Sequence, residues 1–346
     1  MLPLPLVRST NPTTSDTQLV CLFAEDDMKG DAAVLRTLLS VQFIVAVTIV
    51  LVNVYTIAAI WPRRKRRSTQ SQLFVLHLAF ADVLCGASKL LLVIFSADCT
   101  LAHMAATCEW VCVVPCVITM FTWTLSATTL AAIAVDRYVC IVHSLRYYEF
   151  MNTRRVLLIL AALWVFSMLC AGLYLPTWSW QEGRYCDEQN LIPFWHVLAV
   201  QIPMTMLVLV VVAVTHITIR SEAQRHVARR SPASWGPGPG GSSSASVRSA
   251  KITILVVASF VLCYLPMQIF QVLVNIDRED FSNWDFFMFE MFSSLWYLLN
   301  PFIYAWKNAS IREDMVALWR RLFGRCMSQD RDALEPPMPP PGARRF

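Results

Sequence analysis

The sequence predicts an all-α membrane protein: a bundle of seven transmembrane helices with a short amphipathic eighth helix. Three observations predict it. Of 346 residues, 56% are hydrophobic and only 15% are charged, with a mean hydropathy of +0.50; a soluble protein carries about a quarter charged residues. Seven apolar segments reach the roughly 20 residues that a helix needs to cross a hydrocarbon core. Finally, Lys and Arg concentrate in every second connecting loop, as they do on the cytoplasmic side of a membrane.

The elements follow in chain order. Residues 1–34 form an N-terminal segment expected outside the cell. Asp16, Glu25, Asp26, Asp27 and Asp31 there face only Arg8 and Lys29. The opening MLPLPLVRST holds two prolines and too short an apolar run for a cleavable signal. The seven segments are 35–61, 71–96, 109–141, 155–178, 192–220, 250–275 and 284–306, within a transmembrane domain spanning 35–306. The first loop holds Arg63, Arg64, Lys65, Arg66 and Arg67. The third carries Arg146, Arg154 and Arg155, and the fifth Arg220, Arg225, Arg229, Arg230 and Arg248. The alternate loops are acidic, with Glu182, Asp187 and Glu188 in one and Asp277, Glu279 and Asp280 in another. The expected protein is therefore multi-pass, in the plasma membrane, with its N-terminus outside and its C-terminus in the cytosol. The net charge of +5 needs no nucleic-acid partner, because the basic residues flank apolar segments.

Residues 231–249 read as a flexible Gly/Ser/Pro linker on the inner side. Residues 308–325 form an amphipathic stretch with Ile311, Met315, Leu318, Trp319 and Leu322 at helical spacing, expected on the lipid surface. Cys326 at its end is either a palmitoylation candidate or a plain free cysteine. Residues 327–346, ending in EPPMPPPGARRF, read as a disordered cytosolic tail. Of the 11 cysteines, Cys21, Cys99, Cys108, Cys112 and Cys186 fall on or near the oxidising side, an odd count whose pairing the sequence leaves open.

The most informative charges are Asp136 and Arg137, followed by Tyr138, at the inner end of the third segment. Charges at that depth are costly unless they reach water or a partner. Six further landmarks follow one per segment: Asn53 in LVNVY, Asp82 ending LAFAD, Trp164, Pro203, Cys263-Tyr264-Leu265-Pro266, and Asn300-Pro301-Phe302-Ile303-Tyr304. With them the chain resembles a rhodopsin-like (class A) G-protein-coupled receptor from about Leu35 to Cys326. The subfamily is not assignable.

The resemblance implies a receptor that is not itself an enzyme. It would convert binding of an extracellular small-molecule or peptide ligand into activation of a heterotrimeric G protein. It assigns coupling and activation to Asp136, Arg137, Tyr138, Asn300, Pro301, Tyr304, Tyr264 and Pro266. It implies a disulfide between Cys112 and Cys186, with Cys108, one helical turn earlier, as a competitor. It offers Asp82, Ser126 and Asn300 as a sodium site, although Trp296 and Tyr297 stand where small polar residues usually help. A hydrogen-bonded network of Asp82 with Asn53 and Asn300 is the other reading. No other cofactor or metal is implied. Two positions depart from the family pattern: Ser246 replaces an acid that would lock Arg137, and Val211 replaces a tyrosine that would meet Tyr304. Weak latching of both resting and active states is the expectation.

The ligand pocket is expected among Lys89, Thr119, Met120, Trp123, His196, Gln268, Gln271, Glu290 and Ser294. Thr119 stands where monoamine receptors keep an aspartate, and Ser294 where opsins keep the retinal lysine, which excludes both ligand types. Tyr264 replaces the usual tryptophan of the sixth helix. Lys89 and Glu290 either form an intramembrane pair for which an anionic or polar ligand competes, or each snorkels to the outer interface. A contrasting expectation is a non-signalling receptor-like scaffold or heterodimer partner, which Val211 and Tyr264 favour and Arg137 and Tyr304 oppose.

Overall fold

The computed structural model describes residues 32–63, 70–173, 175–178, 180, 191–228, 241–276, 283–307 and 309–334. The described residues contain helices and turns and no strand. Eight long helices carry the fold: α1 (Ala32–Ile60), α2 (Gln70–Ala97), α3 (Glu109–Val142), α4 (Thr153–Gly172), α5 (Ile202–Ala228), α6 (Gly241–Ile276), α7 (Asn283–Lys307) and α8 (Ala309–Leu334). In lipid every backbone polar group must be satisfied within the chain, and unbroken helices do this.

Six of the described helices are long and apolar enough to cross a membrane. Among the seven expected spans, α7 is the more polar one. Asp285, Glu290, Ser293, Ser294 and Asn300 interrupt its apolar run, and those residues turn out to serve the interior. The outer surface is correspondingly apolar: Leu51, Leu158, Leu169, Ile217 and Leu262 are all exposed. The interior is mixed. Phe74, Leu125 and Trp296 are buried there beside Asn53, Asp82, Thr122 and Asn300.

α1 packs along α2, and α2 along α3. Gly86 sets the first approach. A Cβ there would meet Ile49 Cγ2 at 2.9 Å and Val50 Cγ2 at 3.0 Å, so only hydrogen fits between the two helices. α6 packs on α7, and α5 on α3. Pro203 sits in the first turn of α5. Ahead of it the chain runs through a turn at Phe194–His196 and a π-helical turn at Val197–Gln201.

Between α2 and α3 a nine-residue helix, Cys99–Thr107, starts at Asp98, whose Oδ1 accepts from the backbone N–H of Thr100 and Leu101, both at 3.0 Å. Between α3 and α4 two short turns, Ser144–Arg146 and Tyr147–Phe150, lead to Asn152. Asn152 caps α4 by accepting from the Arg155 N–H at 2.9 Å.

Several boundaries differ from the sequence expectation, α5 among them, which runs to Ala228 rather than 220. α4 stops at Gly172 rather than 178, because Pro176 lacks an N–H and takes a 3-10 turn with its neighbours. α6 begins at Gly241, inside the expected linker 231–249, since SSSASVRS tolerates helix once the Pro/Gly run ends. α8 continues to Leu334, into the expected tail 327–346, and ends just before Pro336 and Pro337. α8 also docks more deeply than a purely surface helix. Ile311 is fully buried, Tyr55 Oη donates to the Met315 carbonyl at 2.6 Å, and Gln72 Nε2 donates to Ser310 Oγ at 3.3 Å. Trp319 and Leu322, farther along, stay exposed.

Candidate functional site

Three layers of polar residues run through the bundle. The inner layer is built on the end of α3. Asp136 is fully buried, and a buried carboxylate needs several donors. It has three: Ser71 Oγ donates to Oδ2 at 2.8 Å, Tyr147 Oη donates to Oδ1 at 2.7 Å, and Arg137 Nη2 lies 3.0 Å from Oδ2. Burial, and then the neighbouring carboxylate, push the Tyr147 hydroxyl above its ordinary pKa, so it stays a donor at any physiological pH. Tyr138 points elsewhere, edge-on to His143 with ring centroids 5.8 Å apart. On α7, Tyr304 is buried and its hydroxyl has no partner among the described residues, in keeping with Val211 on α5. Ser246 lies in α6 where side chains fall outside the described residues.

The middle layer centres on Asp82, which is fully buried. Ser126 Oγ donates to its Oδ1 at 2.9 Å and Asn300 Nδ2 to its Oδ2 at 3.1 Å. Asn53 does not join this group, contrary to the expected network. Its amide donates to the backbone carbonyls of Ile49 at 2.9 Å and Tyr297 at 3.3 Å, tying α1 to α7. The residues present make a poor sodium cage. Hard cations take about six oxygens. Here both Asp82 oxygens already accept from protein donors, the buried Trp296 and Tyr297 take up the adjoining positions on α7, and Tyr297 is in hydrogen-bond contact with Cys85. Asn300 Oδ1 is buried with no hydrogen-bond partner among the described residues.

The outer layer has a charged side and a neutral side. Lys89 Nζ on α2 donates to Glu290 Oε1 on α7 at 2.9 Å, with both side chains largely buried. The Ser293 and Ser294 hydroxyls turn back to the Glu290 carbonyl at 2.7 and 2.9 Å, so Ser294 is spent on its own helix. Thr119 meets Ser88 at 2.9 Å. On the neutral side, Gln268 Nε2 on α6 donates to Gln201 Oε1 at 3.1 Å and to Tyr264 Oη at 2.9 Å, and lies 3.5 Å from Gln271 Oε1. Gln201 Nε2 reaches Met120 Sδ at 3.3 Å. Trp123 stacks on Tyr264 with centroids 5.0 Å apart and 26° between planes. His196 departs from the pocket expectation, since it lies against the Cys170 backbone on α4.

An aromatic path descends from this layer to the middle one. Tyr264 stacks on Phe260 at 5.4 Å, Phe260 meets Trp296 edge-on at 5.2 Å, and Trp296 touches Tyr297 at 4.7 Å. With Tyr264 two residues before Pro266 in α6 and Tyr297 four before Pro301 in α7, the aromatic path touches both proline-interrupted helices.

Residues 52–304 match the family model described as 7 transmembrane receptor (rhodopsin family). The chain belongs to this family. The rhodopsin-family fold accounts for α7 as a seventh span despite its polarity, and makes the chain a multi-pass membrane receptor protein.

Within this rhodopsin-family receptor, two groups were not singled out from the sequence. Ser71 and Tyr147 clasp Asp136 from other elements, and no motif in the sequence marked either. His77 bridges three helices: Trp164 Nε1 donates to its Nε2 at 2.8 Å and its Nδ1 lies 3.1 Å from Thr129 Oγ1. A histidine in an apolar segment beside a tryptophan landmark is the signal that could have found it. Cys112 is disulfide-bonded, while Cys108 is free and exposed. Cys186 and the side chain of Cys326 lie outside the described residues.

Proposed function

We propose that this receptor converts binding of an extracellular ligand into activation of a heterotrimeric G protein. The single observation that carries the reading is the buried Asp136 held against Arg137 at the basic-loop end of α3. A carboxylate clasped by three donors keeps the guanidinium folded back, and its release would free Arg137 to meet a cytosolic partner. The arginine count of the loops supports an inner location for this end, with the N-terminus outside and the C-terminus in the cytosol. By the same reading Cys112 pairs with Cys186, and α8 beyond its docked first turns rests Trp319 and Leu322 in the inner leaflet.

The ligand would enter from the opposite end. Lys89 and Glu290 supply the charged anchor, and an anionic or strongly polar ligand competes for their mutual ion pair. The test is a G-protein activation assay across the four Gα classes, with tissue extract as the ligand source, comparing the natural chain with Arg137→Ala. Activation lost in the variant supports the reading. Activity indistinguishable between the two sinks it and leaves a scaffold or heterodimer partner, a reading favoured by the Tyr304 hydroxyl, which has no partner among the described residues.

A further inference from the structure

We propose that Gln201, Gln268 and Trp123 form a subsite for a neutral amide group of the ligand. The amide carbonyl accepts from Gln201 and Trp123, and its N–H donates to Gln268. This rests on the receptor reading and names the ligand chemistry that the same pocket takes.

The argument is one of unspent hydrogen-bonding capacity. Gln201 is fully buried and Gln268 is 3% exposed. Groups this deep must find partners. Gln268 uses its Nε2 on Gln201 and Tyr264, yet its Oε1 is buried with no partner among the described residues. The Trp123 Nε1, an obligate donor, is likewise buried without one. Gln201 spends an N–H on the Met120 thioether, a weak acceptor that a carbonyl would outcompete. The balance is two available donors and one available acceptor, which is the complement of a single amide. Turning both glutamine amides over exchanges which one donates and which accepts, and leaves that complement unchanged.

Other ligand groups match poorly. A carboxylate brings no hydrogen for Gln268 and would press its charge on a carbonyl oxygen. A cationic amine could serve Gln268 but would face the Trp123 N–H. The described contacts of the three side chains are all with uncharged groups. The π-helical turn at Val197–Gln201 ends on Gln201, and such turns commonly mark functional positions in helices. An amide bound here would lie beside the Gln268–Tyr264 hydrogen bond, at the head of the aromatic path.

The experiment uses the purified full-length chain in lipid nanodiscs. The probes are simple primary amides (acetamide, isovaleramide, benzamide and phenylacetamide), each paired with its free acid and methyl ester, and binding is read by thermal shift and saturation-transfer NMR. At least one amide should bind about tenfold or more tightly than its acid and ester. Gln268→Leu should abolish that preference. Trp123→Phe, which keeps an aromatic ring and removes the indole N–H, should weaken it. Ile217→Ala, on the exposed apolar face of α5, should leave it intact. Equal binding of acids, a preference that survives Gln268→Leu, or no amide binding at all overturns the proposal. Amide binding by a chain that activates no Gα class would keep this subsite and sink the receptor reading; activation without amide preference would do the reverse.

Discussion

Tyr147 is the residue on which the inner charge cluster turns. Its hydroxyl donates at 2.7 Å to a carboxylate with no exposure to water, and hydrogen bonds to charged groups contribute about 1.5–3 kcal/mol. Tyr147→Phe removes that donor without removing the ring, so Asp136 should release Arg137 more readily. Basal nucleotide exchange should rise about tenfold at the low end of that range, and a radiolabelled GTP-analogue binding assay would detect it. An unchanged basal rate at equal surface expression would show that Ser71 and Arg137 suffice. Lys89 and Glu290 allow a second test. Lys89→Glu or Glu290→Lys alone leaves two like charges where 2.9 Å separated opposite ones, and each should lower surface expression several-fold, at a cost of about 3–5 kcal/mol for an uncompensated buried charge. The double exchange should restore it, and flow cytometry reads the result. Failure of rescue would mean that each residue has its own partner.

Residue chemistry was readable from sequence wherever cost alone marks a position. Asp82, Lys89, Asp136 and Glu290 stand out because ionisable groups are rare in apolar segments. What each one touches was not readable, because contact depends on the rotation and tilt of helices that periodicity does not fix. Asn53 and Asp82 share a polar layer in the family pattern, yet Asn53 bonds to the Tyr297 backbone instead. Tyr147 was hidden for another reason. It reaches Asp136 only because the chain after α3 makes a short helical turn, and turns of four residues leave almost no signature.

At the scale of elements, the α1–α2 contact rests on a missing side chain. A methyl at Gly86 would sit 2.9 Å from Ile49 Cγ2, closer than real contacts allow, so a branched side chain must push the helices apart. Gly86→Val should cost about 1–3 kcal/mol, seen as a lower melting temperature of detergent-solubilised protein. A melting temperature equal to that of the natural chain would show that α1 can shift freely. Helix existence was legible for every span, since each reads as an apolar run. Helix ends were poorly legible even beside strong breakers: α8 runs past the expected 325 to Leu334, α4 stops short of the expected 178, and Ser/Ala-rich sequence let α6 start nine residues before the expected 250.

At the scale of the whole molecule, the three polar layers suggest where an ion matters and where it does not. Asp82, Ser126 and Asn300 close directly on one another, and bulky aromatics adjoin them on α7. Replacing sodium with N-methylglucamine should therefore leave thermal stability and basal activity unchanged. A stabilisation that saturates with sodium concentration would overturn this and would require Asn300 to turn its free oxygen inward. The overall architecture was the most legible level of all, because lipid permits few backbones.

The free thiol of Cys108 has a practical use. It is exposed and lies at the start of α3, four residues from the disulfide-bonded Cys112. A membrane-impermeant maleimide applied to intact cells would attach there if the N-terminal end of α3 faces the medium, and Cys108→Ser would lower that signal. The same position would accept a fluorophore without touching Lys89, Gln268 or Asp136. A reporter at the mouth of the bundle would register occupancy before any downstream protein responds.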